Sequence, residues 1–211
     1  MVNTRINDGL SHMNVANLLT VFRLFVSPIF YLIYFKYSWF GASFHTAIWA
    51  LIVLLALAEL SDMIDGYIAR KWRQVTDFGK LFDPMADTIM HTCIYLTFTL
   101  APVSLPIGYI FIFLYRDFLI SALRSICALK GRALAARMSG KIKTALIAAA
   151  AFVLLGLLLL YDGASLSREK LMLYSEIIVG CAAGFSLLSG IEYIAVNAHA
   201  IKSALFSRSS E

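Results

Sequence analysis

Charge is what this chain has least of. Only 15% of its 211 residues are Asp, Glu, Lys or Arg, where a soluble domain carries about 25%. So little polar surface, beside 60% hydrophobic residues, excludes a water-soluble globule and points to a chain that faces lipid. Cysteine is also scarce. Cys93, Cys127 and Cys181 stand singly in apolar stretches, which excludes a disulfide framework and a Cys-x-x-Cys metal pair; all three read as small buried hydrophobes. No polar domain gathers the basic residues. The 18 bases against 13 acids give a net charge of +5, but they fall in short segments between apolar runs. That pattern fits the cytoplasmic face of a membrane protein and not a nucleic-acid partner. The N-terminus is polar through Asn14, so no cleavable signal peptide is expected. There is no internal repeat and no low-complexity tract.

What the chain has in abundance is long apolar runs. A spanning helix needs about 20 residues, and windows at 17–36, 44–62, 83–102, 105–124, 143–161 and 172–196 meet that length. Irregular backbone is not tolerated in lipid, so an all-α integral membrane protein of six transmembrane helices is expected. Arg70, Lys71, Arg73 and Lys80 follow the second window, and Lys130, Arg132, Arg137, Lys141 and Lys143 follow the fourth. The turns Ser38–Phe44 and Ala101–Pro106 carry no charge. The positive-inside rule then puts both termini and both basic loops in the cytoplasm. Residues 1–16 form an N-terminal surface segment, as a short amphipathic helix or as unstructured chain. Residues 17–200 form a single bundle domain, and residues 201–211 a polar tail.

Against this background four carboxylates stand out. Asp62 and Asp65 are three apart at the end of the second window, and Asp83 and Asp87 are four apart at the start of the third. Each pair shares one helix face. The basic link between them is short enough to make the two helices antiparallel neighbours, so all four side chains are expected in one pocket. Carboxylates at a membrane boundary repel one another, and bound divalent cations resolve the repulsion. Oxygen-only ligands suit Mg²⁺ or Mn²⁺, and two such ions about 4 Å apart form the usual clamp for displacement at phosphorus. Gly66 and Ala69 sit one turn from Asp62 and Asp65, and Gly79 one turn before Asp83. They clear a hollow where a flat nucleotide can reach the backbone, with Arg70 placed for a diphosphate oxygen. Each of these taken singly is also explained by helix packing or by snorkelling.

A second group is basic. Arg116 and Arg124 are eight apart on one face of the fourth window, and Arg137, Lys141 and Lys143 crowd the start of the fifth. They are read as ligands of an acceptor's phosphate, the alternative being positive-inside topology plus anionic headgroup binding. Asp117, about 100° around the helix from Arg116, is not an obvious partner for it. Glu59 is read as a support to Asp62, and His91 as a packed polar residue. Asn17, Thr20 and Arg23 are accounted for by a cap and a snorkelling anchor.

The run D-x2-D-G-x2-A-R-x8-G-x3-D-x3-D is matched at all eight fixed positions from Asp62 to Asp87. In this the chain resembles the CDP-alcohol phosphotransferases. The wider similarity runs from Asn17-Leu18-Leu19-Thr20-Val21-Phe22-Arg23, through Arg116-Asp117-Phe118, to Gly140-Lys141-Ile142-Lys143-Thr144, and resembles the phosphatidylglycerophosphate synthase branch. The resemblance implies a six-helix homodimer in a bacterial inner membrane, with its site facing the cytoplasm. It implies that Asp62, Asp65 and Asp83 bind metal and that Asp87, also metal-associated, is the general base. It raises Asn17 and Thr20 to contacts of the CDP-lipid. It implies CDP-diacylglycerol as donor and sn-glycerol 3-phosphate as acceptor, giving phosphatidylglycerophosphate and CMP. Thr88, where that branch often has lysine, and Asp117, where glutamate is more usual, depart from its pattern, and no glutamine follows the Gly140–Thr144 segment. Inositol 1-phosphate or another alcohol, such as serine or a second phospholipid, remains an alternative acceptor, and a divalent-cation transporter an alternative of another class.

Overall fold

The computed structural model describes residues 15–71, 77–129 and 137–206, with side chains described over 21–64, 84–128 and 137–203. Among the described residues there are six α-helices and no strand: α1 (Val15–Lys36), α2 (Phe44–Lys71), α3 (Asp77–Thr97), α4 (Gly108–Leu129), α5 (Met138–Asp162) and α6 (Arg168–Phe206). A short 3₁₀ turn, Tyr37–Phe40, links α1 to α2 and ends on Gly41, whose φ of 64° lies in the left-handed region that favours glycine.

Among the described residues, three segments are long and apolar enough to cross a membrane: Phe44–Ile64, Met138–Asp162 and Arg168–Ser203. α1, α3 and α4 carry Arg23, Asp87 and the Arg116–Asp117 pair within their lengths. Each expected window has its helix, but the third, 83–102, outlasts α3 by five residues and the fourth, 105–124, begins three residues before α4, because the chain turns at 98–107; α2 runs past its window to Lys71 and α6 to Phe206. At about 1.5 Å per residue, 39-residue α6 is longer than a hydrocarbon core of about 30 Å requires. The expected surface segment over 1–16 lies almost wholly outside the described residues, and the tail over 201–211 largely so.

The chain divides into two compact units, Met1–Thr97 and Phe98–Glu211. In the first unit α1 packs along both α2 and α3. Val26, Phe30 and Tyr34 recur every four residues on one face of α1. They are buried together with Ile48, Leu51 and Leu55 of α2 and Met90 and Ile94 of α3. In the second unit α6 packs along both α4 and α5. Its core takes Ile110, Phe113 and Ile120 from α4, Leu154, Leu155 and Leu158 from α5, and Val179 and Ala183 from α6. Lipid tails are as apolar as leucine, so association here rests on close packing, which small residues allow. Gly180 of α6 leaves room for the ring of Tyr109, 3.4–3.6 Å from where a Cβ would sit. Outward faces are strongly apolar, as at Phe25, Val53, Phe111, Phe118, Leu188 and Ile191. The cysteine expectation holds for Cys127, which is buried; Cys93 is half-buried and Cys181 exposed on α6. A thiol on an apolar outer face costs little when that face meets lipid.

Candidate active site

In the first unit, charge gathers where α2 meets α3. His91 of α3 bridges two acids: Nε2 lies 2.9 Å from Glu59 of α2, and Nδ1 lies 3.2 Å from Asp87 one turn away on its own helix. Asp62, one turn beyond Glu59, lies in the repulsive field of both Asp87 and Glu59. The pairing of 59 with 91 and the proximity of 62 to 87 run in opposite directions along the two helices. They are therefore antiparallel neighbours at this level, as expected. The structure thus brings one aspartate from each end of the motif into one cluster.

Arg23 corrects the sequence reading. A snorkelling anchor reaches for the interface, whereas Arg23 is fully buried on α1, with Nη1 bonded to the carboxylate of Asp62. A guanidinium out of water is expensive unless paired, and the acidic cluster supplies its partner. His91, expected as packing, is likewise a buried bridge between carboxylates. Its spacing to Asp87 was visible in the sequence; its contact to Glu59 needed the α2–α3 pairing.

Asp65, Gly66, Ala69, Arg70, Gly79 and Asp83 lie on α2 and α3, and Asn17 and Thr20 on α1, but all eight side chains fall outside the described residues. Among the described residues no three His, Cys, Asp or Glu side chains are arranged to hold a metal ion. Asp62 and Asp87 nevertheless fit a hard divalent cation by chemistry: both are half-buried oxygen donors in mutual repulsion.

The second unit holds the basic residues. Arg116 donates from Nη1 to Asp117 Oδ1 at 2.8 Å, and from Nη2 to Ser189 Oγ of α6 at 3.2 Å. Lys143 of α5 donates to both oxygens of Asp117, at 3.0 and 2.9 Å. Asp117 is therefore the partner of Arg116 after all. The backbone directions diverge by about 100°, but the long guanidinium stem closes that gap inside the low-dielectric bundle. Arg124 is exposed and donates from Nε to Tyr193 Oη at 3.1 Å, with its guanidinium 5.2 Å from the ring centre. Ser189 and Tyr193 are one turn apart on α6, so Arg116 and Arg124 do share the face of α4 that meets α6. Lys141 is exposed, and Arg137 is partly buried ahead of α5. Beside Arg116 a cleft of about 440 Å³ opens between α4 and α6, walled by Phe111, Tyr115, Leu119, Leu187 and Ile191.

An antiparallel helix pair presenting a carboxylate cluster, in an otherwise apolar helical chain, defines an integral membrane protein with a polar site. The family model described as CDP-alcohol phosphatidyltransferase matches residues 13–188, and the chain belongs to that family. Its curated relatives include the CDP-diacylglycerol–glycerol-3-phosphate 3-phosphatidyltransferase of Bacillus subtilis (strain 168), 32% identical over 201 residues, 90% of this chain and 98% of that one. The protein of the same description from Rickettsia typhi is 34% identical over 180 residues, 85% of this chain and 94% of its own. The one from Pseudomonas fluorescens is 32% identical over 195 residues, 86% and 89%.

Proposed function

We propose that this chain transfers the phosphatidyl group of CDP-diacylglycerol to sn-glycerol 3-phosphate, releasing CMP. The observation that carries the reading is that Asp87, tied through His91 to Glu59 of α2, lies within electrostatic range of Asp62, so the first and last acids of the motif share one cluster. The relatives that match along nearly the whole chain support the choice of acceptor. Asp62, Asp65, Asp83 and Asp87 would hold two ions, Mg²⁺ or Mn²⁺; once bound, these neutralise charge on a diphosphate. Asp87 takes the proton of the attacking hydroxyl. That oxygen bonds to the lipid-side phosphorus as the bond to the CMP oxygen breaks, and CMP departs with the electron pair. Nothing in the mechanism calls for a covalent enzyme intermediate. Gly66, Ala69, Arg70, Gly79, Asn17 and Thr20 form the CDP-lipid contacts. The cations Arg116, Arg124, Arg137, Lys141 and Lys143 receive the acceptor's phosphate.

The six helices of the described residues and their strongly apolar outer faces support a six-span arrangement; the basic segments between apolar runs support cytoplasmic termini, and bacterial relatives an inner membrane. We assign the working form as a homodimer with its site on the cytoplasmic side. The test is a panel of radiolabelled acceptors with purified protein, CDP-diacylglycerol and Mg²⁺ or Mn²⁺. Release of CMP with glycerol 3-phosphate alone is the expected result. Release with inositol 1-phosphate instead would move the protein to another acceptor, and metal transport by proteoliposomes without CMP release would make it a transporter.

A further inference from the structure

We propose that Asp117 is a positioning residue for the acceptor's phosphate, holding Arg116 and Lys143 as a preset pair of cations; this rests on the reading above. The cluster joins three helices. Arg116 and Asp117 come from α4, Lys143 from α5 and Ser189 from α6. The side chains of Arg116, Asp117 and Lys143 are only 12%, 13% and 7% exposed. Asp117 gives both oxygens to Lys143 and one of them also to Arg116, so a single carboxylate sets the separation of the two cations. Ser189 fixes the other edge of the guanidinium, and is itself held by a 2.8 Å bond from its hydroxyl to Ser186 O. Gly190 belongs to the same device, because a Cβ there would come within 3.0 Å of Arg116 Cγ.

Charge counting then separates a helix tie from a binding site. Two cations share one anion, so the cluster keeps a net positive charge. Arg116 Nε is buried and has no acceptor among the described residues. A buried charge left over costs several kcal/mol, and a tie between helices is served as well by a balanced pair or by apolar packing. An excess cation with a spare N–H in a water-poor bundle is complementary to a second anion, and a phosphate monoester supplies one. Without Asp117 the two cations repel, and the phosphate must order them as it binds.

The test is steady-state kinetics of the full-length protein in lipid–detergent micelles, varying each substrate in turn. In wild type, glycerol 3-phosphate must drive CMP release; if it does not, the acceptor reading has failed, and the cluster is judged by the rise in melting temperature with inorganic phosphate, whose absence in wild type overturns the proposal. With Asp117→Asn, KM for glycerol 3-phosphate is expected to rise about tenfold. KM for CDP-diacylglycerol and kcat stay within about twofold, and Asp117→Glu recovers most of the change. Inorganic phosphate raises the melting temperature of wild type but not of Asp117→Asn, a readout independent of turnover. A fall in acceptor KM would mean that Asp117 competes with phosphate. A matched loss in both KM values and kcat with lowered melting temperature, unrescued by Glu, would leave only a helix tie. Either result overturns the proposal. Should Asp117→Asn fail to accumulate, Ser189→Ala frees one edge of Arg116 and decides the matter. A rise of about threefold in acceptor KM alone supports the proposal, and no change overturns it.

Discussion

The two units handle buried charge in opposite ways. In the buried cluster of the first, among the described residues, acids outnumber bases: Asp62, Glu59 and Asp87 are met by Arg23 and by the shared ring of His91. In the second, one acid, Asp117, serves two bases, Arg116 and Lys143. A membrane protein bears the cost of burying charge only where the charge has a use, and each surplus specifies a ligand of opposite sign. The acidic surplus suits divalent cations, and the basic surplus suits phosphate. The first unit is therefore expected to govern chemistry and the second affinity for the acceptor.

The sharpest way to break that division is to remove the cations. On the proposed reading, chelation of divalent ions abolishes CMP release and readdition of Mg²⁺ or Mn²⁺ restores it; activity persisting in excess chelator would end the metal assignment. Asp87→Asn is expected next, with kcat falling about 10²–10⁴-fold while KM for glycerol 3-phosphate changes little. A variant that altered KM alone would place Asp87 with the binding residues.

Arg23→Met tests the counter-charge in the first unit. It removes the buried partner of Asp62, a loss of about 2–3 kcal/mol, below the ~3–5 of a fully enclosed pair because the Asp62 side chain is 43% exposed. Thermal unfolding should show the loss without divalent ions and a smaller one with them, since both relieve the same repulsion. Equal losses under the two conditions would separate Arg23 from the metal cluster.

The smallest contrast lies within the second unit. Lys143→Met should raise acceptor KM about tenfold, while Lys141→Met, removing an exposed phosphate ligand screened by water, should raise it about threefold and stay within about 0.5 kcal/mol in stability. Equal effects from the two would mean that burial does not distinguish them.

Sequence by itself determined the class of fold, the helix count and the motif from Asp62 to Asp87. Apolar runs and i, i+3 or i, i+4 spacings are local, and lipid leaves a helix as the only way for one segment to satisfy its own backbone. Partnership was not local. Nothing in the spacing of Arg23, Asp117 or His91 told an anchor or a packed residue from a buried ion pair. Those roles came from the packing of α2 and α3 on α1, and of α4 and α5 on α6, which brought residues 39, 26 and 32 positions apart in the chain into hydrogen-bond range. A long charged side chain takes whatever counter-charge the tertiary structure offers once water is gone.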